Sequence, residues 1–184
     1  TGSSGIQSIP ILAKEAAHLT VFQRTPHYSV PSRNVPMTDE YAQEWKDQYR
    51  ERRAEMRYTA GGSFKKANNV SALSINEEER QTVYEKRWTM GGFAFLGSFN
   101  DLLVDEEANN TAAEFTREQV RRIVKDPATA ELLAPKTYPI GTKRICVDTN
   151  YYETYNRDNV GLVDISGGPI ERITPSGLVA NDRE

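Results

Sequence analysis

Residues 1–7 read TGSSGIQ, a glycine–serine turn that runs straight into an apolar periodic stretch. A dinucleotide-binding fold needs Gly-x-Gly-x-x-Gly between its first strand and first helix. Gly2 and Gly5 supply the last two glycines of that pattern, so the first glycine and the strand before it are expected upstream of Thr1. The middle glycine lets backbone approach a pyrophosphate, and the last lets the helix pack closely on its strand. The helix N-terminus then turns free N–H groups toward the phosphates. On this reading Thr1, Gly2, Ser3, Ser4, Gly5 and Gln7 form the phosphate-facing turn. Glycine and serine ahead of a helix also make an ordinary loop and cap, so the turn alone does not decide the matter.

The next strand adds weight. Ile6, Ile9, Ala13 and the Ala16–Ala17 pair recur at helical spacing and predict a helix over 4–17, with Pro10 near its first turns or at a mild kink. HLTVFQ, 18–23, then reads as a buried strand. An NAD-specific fold places a carboxylate about 20 positions after the glycine turn, on the ribose 2′-hydroxyl. Here VFQRT, 21–25, holds no carboxylate. Arg24 stands where a 2′-phosphate would lie, and Thr25 offers a hydroxyl donor. A guanidinium suits a phosphate because its planar fork donates two parallel bonds. The pair therefore points to NADP(H). A solvated charge at a strand end is the plainer reading, but the glycine turn sits at the distance the cofactor reading requires.

Outward from this core the character changes. RTPHYSVPSRNVP, 24–36, is too rich in proline for a regular element. From Thr38, an N-cap, TDEYAQEWKDQYRERRAEMRY reads as one long charged helix. Residues 59–74 read as a loop, and Ser74 as the cap of a second helix that Gly91–Gly92 stops. One or two further helices follow, and Asp126–Pro127 starts a short one through Leu133. After that β character returns: KRICVD, VGLVDI, IERITP and GLVAND read as short strands, with a helical turn in NYYETYNRDN. The order predicts an α/β, Rossmann-like dinucleotide-binding domain of the FAD/NAD(P)-binding type, interrupted by an all-helical insertion. Its first part is 1–37, the insertion 38–135 and its second part 136–184, with a further strand expected beyond the last residue.

Composition narrows the class. Hydrophobic residues make up 38% and charged residues 27% of the 184, as in a soluble globular protein. A net charge of -3 argues against a general nucleic-acid binder. Cys146 is the single cysteine, which excludes an internal disulfide and fits a reducing compartment. No apolar run approaches the roughly 20 residues of a membrane helix, and no signal-like segment appears. These features together read as cytoplasmic. His18 and His27 lack ligand-spaced partners, so no metal site is expected. Cys146 has no evident base and reads as a packing residue.

TGSSGIQ, FQRTPHYSVPSRN and YPIGTKRICVDTNYYETYNRDNV, in that order and spacing, resemble the NADPH domain of Baeyer–Villiger flavin monooxygenases of the cyclohexanone and phenylacetone type. The resemblance covers nearly the whole chain, the helical block included. It implies a parent with an FAD domain, which converts ketones to esters or lactones with O₂ and NADPH through a C4a-peroxyflavin. It also implies that Arg144 of GTKR is the active-site arginine, a permanent cation for a peroxide anion and the adduct oxyanion. Lys143 is then a second contact to the 2′-phosphate, beside Arg24 and Thr25. The tyrosines Tyr151, Tyr152 and Tyr155 are expected to pack, and 156–159 to turn. Trp45 and Trp88 are expected in core or interdomain contacts. The FAD turn and the family fingerprint are absent from these residues, so a related N-hydroxylating or flavin-containing monooxygenase is the alternative. A non-catalytic helical interaction module is a further one, resting on the charged helices.

Overall fold

The computed structural model describes residues 2–59, 62 and 68–180. Thr1, and the end of the GLVAND stretch at 181–182, lie outside the described residues.

Helix α1 spans Ser3–Glu15 and buries Ile6, Ile9, Pro10 and Ala13 on one face. Pro10 sits in the helix interior, past the first turns where it was expected; packing of that face outweighs the bond its missing N–H forfeits. Strand β1 (Leu19–Gln23) follows, then β2 (Ser29–Pro31). β2 corrects the reading of 24–36 as irregular. Its ladder partner is β3 (Cys146–Asp148), far along the chain, and Pro31 at its end has little ladder left to break.

Between β2 and β3 the described residues form no strand. α2 (Asp39–Asp47) begins at Thr38, whose hydroxyl accepts from the Tyr41 amide. The single long helix expected there is two, because the chain leaves helical geometry at Gln48 before α3 (Tyr49–Met56). α4 (Glu77–Met90) is capped by Asn76, not by Ser74, which closes a 3₁₀ turn over Ala72–Ser74. Gly91 ends α4 with φ 70°, and a Cβ there would meet the Pro31 carbonyl oxygen at 2.6 Å. A second 3₁₀ segment, Gly92–Gly97, leads to α5 (Glu106–Ile123), and Asp126 caps α6 (Pro127–Leu133). After β3 come α7 (Tyr151–Thr154), β4 (Val160–Asp164), β5 (Ile170–Ile173) and β6 (Leu178–Ala180).

The fold mixes helix and strand, and its strands pair in three sets. β1 runs parallel to β4 from Leu19↔Val160 to Gln23↔Asp164. β2 runs parallel to β3, and β5 pairs antiparallel with β6. Two cores hold the β1–β4 and β2–β3 pairs. One stacks Tyr84, Trp88, Phe95, Phe99 and Phe115 with Tyr28, Val30, Ile140 and Ile145. Its rings lie 5.2–6.0 Å apart, within the range of favourable aromatic pairing. The other joins Ile6 and Ile9 to Val21, Val120, Leu133, Cys146 and the tyrosines of α7. Tyr151, Tyr152 and Tyr155 are indeed buried packing residues.

The 156–159 turn is a staple between the two halves. Asn156 donates to the Ile123 carbonyl at 2.8 Å and accepts from the Lys125 amide at 2.8 Å. Asn159 donates to the carbonyls of Ala13 and Ala16 at 2.9 Å each, closing the end of α1 against the start of β4.

Candidate functional site

The pairing of β1 with β4 creates the site. Parallel strands end together, and the crevice beyond their carboxyl ends is where such sheets hold ligands. A cleft of about 830 Å³ lies there. Its walls are Gly2, the segment Arg24–His27 after β1, Lys143, and the segment Ile165–Ile170 after β4. Ile165 continues the β1 ladder by donating its amide to the Gln23 carbonyl at 2.9 Å, which fixes the floor between the two walls.

Gly2 is the N-cap of α1 with φ -116° and ψ -172°, an extended geometry any residue can adopt. Its glycine identity matters for space: a Cβ built there meets nothing within 4 Å and stands open toward the cleft. As N-cap, Gly2 offers no side chain to the first helical amides, and the first turn holds no acidic residue, which leaves this helix end favourable to an anion.

The electrostatics favour an anion too. No carboxylate occurs among the described lining residues, whereas Arg24 and Lys143 both do. Neither cation forms an ion pair among the described residues. The Lys143 ammonium instead lies 4.1 Å from the ring centroid of Tyr138. Asp164, at the end of β4, accepts from the Ser166 amide and hydroxyl at 2.8 and 2.9 Å and so orders the opposite wall.

Gly2, Arg24, Thr25 and Lys143 are thus brought together on one cleft. Ser3, Ser4 and Gln7 are exposed on the first turns of α1, and Gly5 is half-buried there; none of the four lines the cleft. Arg144 is exposed and does not line it either. Both GTKR cations lie in the loop before β3, which begins only at Cys146, so KRICVD is strand over its second half alone.

Sequence reasoning missed His27, Ser166, the Gly167–Gly168 wall and Tyr138. The only local signal for the β4 side was glycine after a strand, which marks a turn equally well. The Cys146 thiol does have a neighbour, His27 Nδ1 at 3.8 Å. That nitrogen is 3.0 Å from the Tyr28 carbonyl, to which it can only donate, so it is no base for the thiol. Burial pushes the thiol upward, and Cys146 remains a packing group. Among the described residues no three His, Cys, Asp or Glu side chains gather closely enough to hold a metal, and no helix is long and apolar enough to cross a membrane.

No protein-family model matches the chain. Cyclohexanone 1,2-monooxygenase of Acinetobacter is 42% identical over 180 residues, covering 97% of this chain and 33% of that protein. A phenazine N-monooxygenase of Lysobacter antibioticus is 40% identical over 184 residues, covering 99% and 34%. A solved steroid monooxygenase bound to NADP superposes with TM-score 0.95 at 51% identity, covering all of this chain and 35% of that one. The chain spans about a third of the length of the curated relatives it matches. In sequence and in fold alike, these 184 residues are similar to about one third of a Baeyer–Villiger monooxygenase.

Proposed function

We propose that this chain is the NADPH-binding portion of an FAD-dependent Baeyer–Villiger monooxygenase whose parent converts ketones to esters or lactones with O₂ and NADPH. The observation that carries the reading is the cleft at the joint ends of β1 and β4, which holds two unpaired cations and no carboxylate among its described walls. We read the domain as Rossmann-like over 1–37 and 136–184 with the helices of 38–135 inserted, a reading supported by the parallel β1–β4 and β2–β3 pairs.

The residues present fit the cofactor. The open face of Gly2 and the uncapped amides of α1 receive the pyrophosphate. Arg24, Thr25 and Lys143 surround the 2′-phosphate, and the absence of a carboxylate removes the partner a bare 2′-hydroxyl would need. Ser3, Ser4, Gly5 and Gln7 belong to the same turn without reaching the cleft walls, and Thr1, assigned to that turn from the sequence, lies outside the described residues. The flavin, held mainly by the rest of the parent, supplies the oxygen chemistry. Arg144 lies outside the cleft walls, and its exposure leaves it free to meet the FAD domain, where it stabilises negative charge developing on the reacting oxygens. The parent acts in the cytoplasm, without nucleic-acid or membrane partners.

The 40% identity to a phenazine N-monooxygenase supports a second reading, in which the parent oxygenates nitrogen. One experiment separates them. The full-length flavoprotein is followed for NADPH consumption with cyclic and aryl ketones and with heteroaromatic amines, and the products are analysed. Ketone-dependent consumption with ester or lactone product supports the first reading. N-oxide formation without ester moves the chain to the second, and no NADPH consumption with any substrate removes both.

A further inference from the structure

The Lys143 ammonium sits at the end of a flexible four-carbon stem, exposed and with no carboxylate to fix it among the described residues. A cation so placed would be spread over many rotamers, and the cost of ordering it would weaken any ligand that needs it. The structure shows what orders it. The ammonium lies over the face of Tyr138, 4.1 Å from the ring centroid. A ring face attracts a cation while leaving its remaining N–H donors turned away from the ring.

Tyr138 is itself held. Its hydroxyl donates to the Pro26 carbonyl at 2.9 Å. Its ring meets Tyr28 edge-on at 5.5 Å and His27 at 6.2 Å. Tyr28 is buried, with its hydroxyl donating to the Pro135 carbonyl at 3.1 Å. Burial pushes the Tyr138 hydroxyl up to about 12, so it stays a neutral donor at working pH. Pro26 belongs to the same loop as Arg24 and Thr25. One side chain therefore ties the loop that carries the first cation to the resting place of the second.

We propose that Tyr138 is a positioning residue for coenzyme specificity: its ring holds the Lys143 ammonium at the cleft and sets its spacing from the Arg24 loop, so that a 2′-phosphorylated dinucleotide meets a preformed pair of cations. This rests on the reading of the cleft as an NADP site.

The test measures NADP⁺ and NAD⁺ affinity by calorimetry on the full-length flavoprotein. Tyr138→Leu removes the ring face and lowers NADP⁺ affinity about three- to fivefold, leaving NAD⁺ unchanged. Tyr138→Phe keeps the face and retains most of the NADP⁺ to NAD⁺ ratio. Tyr138→pentafluorophenylalanine keeps the shape but drains the ring, and it loses the ratio as the leucine variant does; it serves equally if the leucine variant fails to fold. In a Lys143→Ala background none of these changes has a further effect on the ratio. If fluorination leaves the ratio unchanged, or if the Tyr138 variants lower it equally without Lys143, the positioning role is overturned while the NADP reading stands. If Lys143→Ala itself leaves the ratio unchanged, the clamp reading fails at Lys143 and this inference falls with it.

Discussion

Replacing Arg24 with alanine tests the proposed 2′-phosphate contact. Arg24 is exposed at the rim, directly after Gln23 closes β1, and no carboxylate pairs with it among the described residues. Its loss therefore strands no buried charge, and stability of the fold should move by no more than about 0.5 kcal/mol. Binding is another matter. A hydrogen bond to a charged group is worth about 1.5–3 kcal/mol, and solvent screening at an exposed rim keeps the value near the lower end. About 1.5 kcal/mol corresponds to roughly a tenfold loss of NADP⁺ affinity. NAD⁺, which has no 2′-phosphate, should bind as before. The assay is the dissociation constant of each nucleotide on the full-length flavoprotein at two salt concentrations. Added salt should weaken NADP⁺ binding more in the parent than in the variant, since fewer charges remain to be screened. An equal loss for NAD⁺ and NADP⁺, or a ratio that moves less than about twofold, would refute the argument that Arg24 reads the 2′-phosphate.

Three further perturbations probe other parts of the molecule. Gly2→Val is conformationally allowed at φ -116° and its Cβ meets no atom within 4 Å, so it should fold normally and fill the cleft. NADP⁺ and NAD⁺ binding should fall together by roughly tenfold or more, and unimpaired binding of either, by calorimetry, would count against a pyrophosphate at Gly2. Arg144→Ala should abolish ester formation while NADPH binding is kept; product analysis showing a normal ester yield would remove its catalytic role. Asp148 is buried between the Ser29 hydroxyl, at 2.5 Å, and the Tyr151 amide, at 3.1 Å, and burial raises its pKa above the ordinary 3.8. The folded state therefore holds that proton more tightly than the unfolded state, so the carboxylate costs stability as pH rises from about 4. Asp148→Asn can accept from the Tyr151 amide through Oδ1 and donate through Nδ2 to the Ser29 hydroxyl oxygen, with no charge to desolvate, and should gain in thermal midpoint at neutral pH with the gain vanishing below the unfolded pKa. A gain that grows toward acid pH would reverse the sign of this reasoning.

What the sequence made legible was local chemistry. Thr38, Gly91 and Asp126–Pro127 end or begin helices through their own side chains or backbone freedom, and each was readable without knowing the fold. Asn76 was missed because Ser74, two residues earlier, is an equally good cap on paper, and only the 3₁₀ turn around Ala72 decides between them. β2 was hidden because three residues carry no period, and its existence depends on Cys146–Asp148 lying alongside. The cleft was half legible for the same reason. Gly2 and Arg24 flank a single helix–strand unit of this chain, a local spacing, whereas the Ile165–Ile170 wall exists only because β4 crosses back beside β1. Lys143 entered through resemblance and not through any physical signal in GTKR.

The helices between β2 and β3 also do more than decorate the domain. α5 contributes Phe115 to one core and Val120 to the other, so it spans the molecule as a shared strut. Arg117, on the same helix, donates through Nε to the Pro135 carbonyl at 2.8 Å, the carbonyl that also receives the Tyr28 hydroxyl. A carbonyl with two lone pairs satisfied in this way fixes the chain just before Tyr138. Burial raises the Tyr28 hydroxyl pKa, so this donor too keeps its proton. The position of the Lys143 ammonium is thereby traceable from α5 through Pro135 and Tyr28 to the ring of Tyr138. Removing the helical block would leave β1 and β4 able to pair in principle, but it would strip both cores of the residues α5 lends them and the support beneath one wall of the cleft. The helical segment is for this reason part of the cleft's foundation, and a chain trimmed to the strand-bearing parts should not reproduce the cleft.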